Sequence, residues 1–310
     1  MGRISSGRGD IGSASLFGDL ALSREKKSPF LLETSGRGLT TAPKPPDQTN
    51  SKSKLIAEYI SNFQQITKGG LFIDGFAAPQ SRGHEDAWSA ARVLAIEPAR
   101  LRTFWLCDLE PEGIAQLKKL KARYHQKPRW RRVFVMEGDF NQSVDSILAS
   151  GRITPKSPTF AFMDQRNMEC HWATVQKLAR FRTKRKIELM YFLGTGWVMR
   201  SIKSSTTNTK LQEINRWWGG FGWRELDGMK QPDIALKVAR RFEEELGYQH
   251  VKSYPILLVE GSSRVAFHLI HSSDHELAPV LMARAYLKIC GDIANSPVDS
   301  QGDLFGRNDI

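Results

Sequence analysis

Two hydrophobic patterns alternate along the chain from about residue 54 onward. In KLIAEYISNFQQI, apolar side chains recur at the three- and four-residue spacing of an amphipathic helix. In LFIDGFAAP and TFWLCDLEP, a short apolar run ends at a polar residue. Five such runs alternate with amphipathic stretches, and nearly every run ends at Asp or Gly. Strands that are buried on both faces read as continuous apolar runs, so the pattern predicts a parallel sheet covered by helices on both sides.

The C-terminal part of the pattern completes the predicted fold. KSYPILLVE and SRVAFHLIHSS are two apolar segments joined by EGSS, which predicts a β-hairpin, and the helical pattern LAPVLMARAYLKIC follows it. A helical, Trp- and Arg-rich segment at about 203–247 precedes the hairpin. The predicted fold class is therefore α/β: a Rossmann-like doubly wound sheet of the class I methyltransferase type, with a C-terminal β-hairpin and a helical insertion.

The two ends of the chain lack this pattern. Residues 1–50 consist largely of Gly, Ser, Thr, Pro, Lys and Arg and have too little apolar surface to offset the entropy of ordering, which predicts a disordered basic N-terminal arm. The stretch TAPKPPDQTNSKSK is expected to be an extended linker that closes this arm. The predicted α/β domain covers residues 51–292, and a flexible tail covers 293–310.

Composition adds one indication about partners and one about location. The net charge of +12 favours binding to polyanions such as nucleic acid. A solvated basic surface without a binding partner would have the same net charge. The three cysteines form neither a zinc pattern nor a disulfide framework. No apolar run approaches the roughly 20 residues of a membrane helix, so we expect a cytoplasmic protein that does not bind a membrane.

Polar residues end the first three predicted strands: Asp74-Gly75-Phe76, then Asp108, then Asp139-Phe140. A glycine in such a turn lets a ligand approach the backbone, a carboxylate can accept hydrogen bonds from ribose hydroxyls, and an Asp-aromatic pair suits adenine. Each feature also has a structural explanation, since a tight turn needs glycine and an aspartate often caps a helix. The fold would nevertheless bring all three strand ends to one cleft.

At this point the sequence resembles a known family, the three-Cys-motif partner proteins. The resemblance covers roughly residues 52–290 and rests on KLIAEYISNF, FIDGFAAP, FWLCDLEP, the Gly138–Asn141 strand end, FAFMDQRNMECHW, GTGWVMRSIK, INRWWGGFGWREL and FHLIHSSDHELAPVLMARAY. It implies a methyltransferase fold, an S-adenosylmethionine pocket around Asp74, Gly75, Asp108 and Asp139, and a radical-type three-Cys-motif protein as a partner. It does not imply a particular substrate.

The sequence departs from the family where the cofactor and the methyl acceptor should meet. Family members usually read Asp-Pro-Tyr or a close relative after the fourth strand, whereas this chain reads Asp164-Gln165-Arg166-Asn167. The first loop has Ala78-Pro79-Gln80 where Gly-Pro-Gly is common. Asp164 and Asn167 are the candidate catalytic residues. Because the proline, the aromatic residue and the loop glycines of the family are absent here, the sequence is compatible with an altered reaction and with the loss of catalytic activity.

Three further groups of residues were considered for function. The segment from Trp197 to Arg224 interleaves tryptophans with arginines, which suits base stacking and phosphate contact, although core packing of the insertion is the commoner explanation. The candidate nucleic-acid contacts in it are Arg200, Arg216, Trp217, Trp218 and Arg224. The histidines His268, His271 and His275 are interpreted as ordinary hydrogen-bonded residues rather than as a metal site.

The C-terminal tail contains Gln301-Gly302-Asp303-Leu304-Phe305, which resembles the pentapeptide that binds the bacterial sliding clamp. A flexible strand can insert Leu304 and Phe305 into an apolar cleft while Gln301 forms hydrogen bonds at its rim. Docking of the same two apolar residues on the parent domain is the alternative. Two functions therefore follow from the sequence: an S-adenosylmethionine-dependent methyltransferase-like protein acting on or near nucleic acid, and a catalytically silent adaptor in DNA replication or repair that binds the clamp through its tail.

Overall fold

Seven strands and nine helices make up the part of the chain described by a computed structural model, which covers residues 47–80, 84–259 and 263–291. The strands are β1 (Gly70–Asp74), β2 (Leu101–Asp108), β3 (Arg132–Glu137), β4 (Thr159–Met163), β5 (Glu188–Leu193), β6 (His250–Leu257) and β7 (Val265–Ser273). The helices are α1 (Asp47–Ile66), α2 (Ser89–Leu94), α3 (Pro111–Tyr124), α4 (Phe140–Leu148), α5 (Trp172–Arg180), α6 (Thr195–Lys203), α7 (Asn208–Trp218), α8 (Gln231–Glu244) and α9 (Ala278–Cys290). Short 3₁₀ turns span Glu85–Ala87 and Gly222–Leu226.

The strands form a single sheet in the order β3-β2-β1-β4-β5-β7-β6. The first five are parallel, whereas β7 runs antiparallel to both β5 and β6. This is the doubly wound, class I methyltransferase type of sheet predicted from the sequence, including the C-terminal hairpin and the helical insertion. The order reverses at β1, which lies between β2 and β4, and ligands of open parallel sheets bind at such a reversal, outside the carboxyl ends of the strands.

Helices cover both faces of the sheet. On one face, α4, α5, α7 and α8 contribute buried apolar side chains to a large core together with β1, β4 and β5. On the other face, α1 packs Tyr59 and Phe63 against Phe160 of β4, and Phe160 stacks on Phe72 of β1. Burial on both sides is why β4 and β5 are apolar throughout apart from their first residues.

The first helix begins earlier than the sequence predicts. α1 starts at Asp47, four residues before the predicted domain boundary, and the part of the expected linker from Asp47 onward is helical. Its first turns bury the polar residues Gln48, Thr49, Lys52 and Ser53, although apolar periodicity begins only at Leu55. Tertiary contacts therefore order a stretch that has no apolar face of its own.

Other expectations from composition agree with the structure at a coarser level. Within the described ranges, no helix combines the length and the apolar character that crossing a bilayer requires. Cys107, Cys170 and Cys290 are free thiols, the first two of them buried. The predicted arm (up to residue 46) and tail (from residue 292) lie outside the described residues.

Candidate functional site

Three carboxylates lie at the carboxyl edge of the sheet around the reversal point. Asp74 ends β1 and Asp108 ends β2, while Asp164 directly follows β4. Because β1 is hydrogen-bonded to both β2 and β4, these acids are neighbours across the sheet, as the sequence predicts. The charges of Asp164 and Asp108 both act on Asp74.

Asp74 is the most deeply buried of the three, with 1% of its surface exposed. Its Oδ1 accepts a hydrogen bond of 3.2 Å from the backbone N–H of Phe76. Burial, followed by the negative charge of Asp164, raises the pKa of Asp74 well above its usual range, while the positive charge of Lys52 acts in the opposite direction. A positive charge close to Asp74 and Asp164 is therefore favourable.

Lys52 supplies that cation from the second turn of α1. Its Nζ lies 2.7 Å from Oδ1 of Asp164, and both side chains are almost inaccessible to water. The ammonium group also lies 5.1 Å from the ring centre of Phe192 and 5.6 Å from that of Phe267, within the range of cation–π contacts. Sequence reasoning missed Lys52, because it lies in a polar stretch without periodicity and only the fold brings it to Asp164.

Asp108 fixes the loop that follows β1. Its Oδ2 accepts a hydrogen bond of 2.9 Å from the N–H of Ala78, and its Oδ1 accepts one of 3.0 Å from Glu110. A Cβ placed on Gly113 would lie 2.4 Å from the Cβ of Ala78, so glycine at that position lets the loop pack on α3. The carboxylate predicted to bind ribose hydroxyls thus already has two backbone donors, and the cap of α3 is Glu110 rather than Asp108.

The strand end at Asp139 and Phe140 has a structural role. Asp139 is the N-cap of α4, and its Oδ1 accepts hydrogen bonds from the backbone and side-chain amides of Asn141. The buried ring of Phe140 lies against Gly75, where a Cβ would come within 2.6 Å of the ring. The rings of Phe76 and Phe140 meet edge to face, with their centres 5.8 Å apart. Phe140, predicted to pack on adenine, and Phe76, another residue predicted to line the cofactor pocket, therefore contact each other.

The described residues at this edge include carboxylates of the kind predicted to hold an adenosyl cofactor, but the cavity that they line is too small for one. Lys52, Asp74, Phe76 and Asp164 line a cavity of about 10 Å³, which holds roughly one water molecule. No further ring fits between Phe76 and Phe140 at their present separation. In this conformation the site does not fit S-adenosylmethionine.

Gln165 holds the loop after β4 in place. The three-Cys-motif partner proteins, which the sequence resembles, usually have proline at this position. The buried Gln165 side chain donates a hydrogen bond to the carbonyl of Phe192 and accepts one from the N–H of Cys170, both 3.0 Å long. These bonds fix the loop to the end of β5. Asn167 is exposed to solvent, whereas Asp164 is buried, so the structure does not bring the two candidate catalytic residues into a common enclosed site.

The tryptophans proposed to stack on bases are instead core residues. Trp217 and Trp218 are 2% and 7% exposed, and the indole N–H of Trp217 donates to the hydroxyl of Tyr191 over 2.7 Å. Trp218 packs with the guanidinium of Arg241, whose other side lies over Trp172. This burial agrees with core packing of the insertion on β5, and a contact of Trp217 or Trp218 with nucleic acid stays a prediction.

The three arginines predicted to contact phosphate lie at the protein surface. Arg200, Arg216 and Arg224 are all exposed. The guanidinium of Arg224 lies over the rings of Phe221 and Trp223, at 5.1 and 4.9 Å from the ring centres. Phosphate contact by these arginines stays a prediction.

Two of the three histidines form hydrogen bonds, whereas the buried Nδ1 of His268 has no hydrogen-bond partner among the described residues. His271 bonds Glu188 over 2.8 Å, and Nδ1 of His275 accepts from the N–H of Leu277. Burial lowers the pKa of His268 to about 4. Within the described ranges, no group of three His, Cys, Asp or Glu side chains is arranged to hold a metal ion.

The segment Gln301–Phe305, which is predicted from the sequence to bind a sliding clamp through Gln301, Leu304 and Phe305, lies outside the described residues. Comparison with family models finds no family that matches this chain. A search of curated proteins likewise gives no match. The resemblance to the three-Cys-motif partner proteins therefore rests on the sequence segments quoted above.

Proposed function

We propose that this chain is a catalytically silent, nucleic-acid-associated protein that uses the methyltransferase type of fold as a scaffold. In this proposal it is an adaptor in DNA replication or repair whose C-terminal tail binds the bacterial sliding clamp. We infer the lack of catalytic activity from the closed carboxyl edge of the sheet, where Lys52 pairs with Asp164 and Phe140 covers Gly75.

The chemistry of the closed edge supports this proposal. A methyl donor at this site would have to displace a buried ammonium group from a buried carboxylate, and separating such a pair is costly. The replacement of the Asp-Pro-Tyr type of turn by Asp164–Asn167 removes the aromatic platform, and Gln165 anchors the altered loop. Both features favour a rigid structural edge over a cleft that opens.

A second candidate is an S-adenosylmethionine-dependent methyltransferase-like protein acting on or near nucleic acid. The convergence of Asp74, Asp108 and Asp164 at the sheet reversal favours it, since carboxylates at this position suit ribose hydroxyls and a cationic group. In that case the cofactor would supply an electrophilic methyl group. The chain's own carboxylates would orient it after Lys52 and the Phe76 ring had moved.

Titration with S-adenosylmethionine separates the two candidates. We expect no saturable binding of millimolar cofactor to the purified protein by calorimetry, because the site has space for about one water molecule. Binding by the wild-type protein would contradict the silent proposal. If Asp108→Ala then lost about 1.5–3 kcal/mol of affinity, as for hydrogen bonds to a charged group, the methyltransferase would be the better proposal.

The tail is tested independently of the cleft. A peptide spanning Gln301–Phe305 is expected to bind a bacterial sliding clamp with micromolar affinity, since two buried apolar anchors contribute about 1.5–3 kcal/mol each and ordering offsets part of this. Replacing Leu304 and Phe305 by alanine in the full chain should abolish binding and leave the melting temperature unchanged. A markedly lower melting temperature would instead mean that these residues dock on the domain.

A further inference from the structure

A second cavity lies at the opposite edge of the sheet from the three carboxylates. It has a volume of about 420 Å³, within the range of small-molecule sites. Thr159 and Glu188, which begin β4 and β5, line it together with Ser273 at the end of β7. The pocket is thus at the amino ends of the parallel strands, away from the site discussed above.

A buried carboxylate forms the polar part of this pocket. Oε1 of Glu188 accepts a hydrogen bond from the hydroxyl of Tyr59 and bonds Nε2 of His271 over 2.8 Å. Its Oε2 accepts from the hydroxyl of Ser273 over 3.0 Å. Among the residues that the structure describes, no lysine or arginine pairs with Glu188, so His271 is its only basic partner there. Oε2 keeps capacity for a further donor, because a carboxylate oxygen accepts two hydrogen bonds.

The rest of the lining combines apolar side chains, two exposed cations and a further acid, Asp274, whose Oδ1 accepts a hydrogen bond from the backbone N–H of Gln249. Phe63, Ile66 and Leu281 supply the apolar wall. Lys156 and Arg185 line the same pocket and are exposed to solvent, which puts them at its mouth. Lys186 is directed elsewhere, since its Nζ donates to the carbonyls of Leu246 and Gly247.

We propose that this pocket binds a small zwitterion that has an ammonium group at one end, an anionic group at the other and an apolar chain between them. The ammonium donates to Oε2 of Glu188, where the buried negative charge favours a cation. The chain lies along the apolar wall, and the anionic end reaches Lys156 and Arg185. A simple amine offers no anionic group to Lys156 and Arg185, and a simple carboxylate offers no cation to Glu188 and Asp274, so a ligand with both groups is expected to bind best.

The experiment uses ε-aminocaproate as the probe and compares it with hexylamine and caproate, which each lack one of the charged groups. Calorimetry on the full chain should show the tightest binding for ε-aminocaproate and weaker binding for both analogues. Glu188→Gln should weaken ε-aminocaproate at least about tenfold, since it removes one partner of a buried charge pair. Arg185→Ala should weaken ε-aminocaproate several-fold and leave hexylamine unchanged, whereas Lys184→Ala, a neighbouring exposed cation that does not line the pocket, should change neither.

Two outcomes would overturn the proposal. The first is the absence of saturable ε-aminocaproate binding to the wild-type protein. The second is that ε-aminocaproate and hexylamine bind with equal affinity to the wild-type protein and also bind with equal affinity to the Arg185→Ala variant. The Arg185 comparison does not depend on the Glu188 variant, so the proposal stays falsifiable even if that buried substitution prevents folding.

Discussion

Replacing Lys52 with methionine is expected to lower the free energy of unfolding by about 3–5 kcal/mol at neutral pH, because it leaves a buried carboxylate without its partner. Lys52 and Asp164 are 3% and 10% exposed, so water cannot replace the lost ammonium. Urea denaturation measures the change. Lys54→Met provides the matched control, since Lys54 lies two residues away on α1 and is exposed, and it should alter stability by no more than about 0.5 kcal/mol.

A double variant tests whether the effect arises from the ion pair. Lys52→Met combined with Asp164→Asn should recover much of the lost stability, because replacing both members of a buried pair is often neutral. An equally large loss in the double variant would mean that Lys52 acts by packing on Phe192 and Phe267 rather than by its charge.

The pH dependence of the Lys52→Met variant has a defined sign. The pKa of Asp74 is raised by burial and by Asp164, and Lys52 lowers it, so removing Lys52 raises that pKa further. A carboxyl group with a raised pKa in the folded state binds more protons there than in the unfolded chain, so its contribution to stability falls as the pH rises through that pKa. The stability deficit of Lys52→Met should therefore decrease as the pH is lowered toward the ordinary value of an aspartate. A deficit that grew on acidification would contradict this arrangement of charges.

The sheet could be predicted from the sequence because its central strands β1, β4 and β5 are buried on both faces. That burial makes each of them a nearly continuous apolar run, and the alternation with amphipathic helices then determines a parallel, doubly wound order. The hairpin of β6 and β7 was predicted for the same reason, from two apolar runs joined by a polar turn. Topology also brings polar strand ends together: Asp74 and Asp108, two of the three strand ends grouped from the sequence, end neighbouring strands, and Asp164, predicted separately as a catalytic residue, follows β4 at the same edge.

What occupies that edge could not be predicted, because it depends on contacts between distant segments. Lys52 reaches Asp164 across 112 positions of sequence, from a polar helix start that has no apolar period. Glu188 carried a detectable signal: a single acid at the start of an otherwise apolar strand is a buried charge that needs partners. Its partners Tyr59 and His271 come from α1 and β7, and only the structure shows them.

The role of the tryptophans was undecided from composition for a similar reason, since base stacking and core packing both favour large aromatic side chains. Trp217→Ala is now expected to lower the free energy of unfolding by about 3–5 kcal/mol, as for other buried aromatic truncations. The neighbouring Arg216 is exposed, so Arg216→Ala should change stability by no more than about 0.5 kcal/mol. Thermal and urea denaturation of the two single variants measure this contrast.

The affinity for nucleic acid, in contrast to stability, should depend on the exposed arginines and not on Trp217. The conservative variant Trp217→Phe keeps a buried ring and should bind single- or double-stranded DNA as the wild type does. The combined alanine variant of Arg200, Arg216 and Arg224 should bind more weakly, and its dependence of log affinity on log salt should be shallower by roughly one unit for each arginine that contacts phosphate. Alanine at Arg100, Arg240 and Arg284, three exposed arginines in other elements, removes the same charge and serves as the control. Equal losses in both triple variants would mean that net charge rather than this surface attracts DNA. Loss of binding in a folded Trp217→Phe variant would mean that the indole contacts bases after all, which requires the insertion to open when DNA binds.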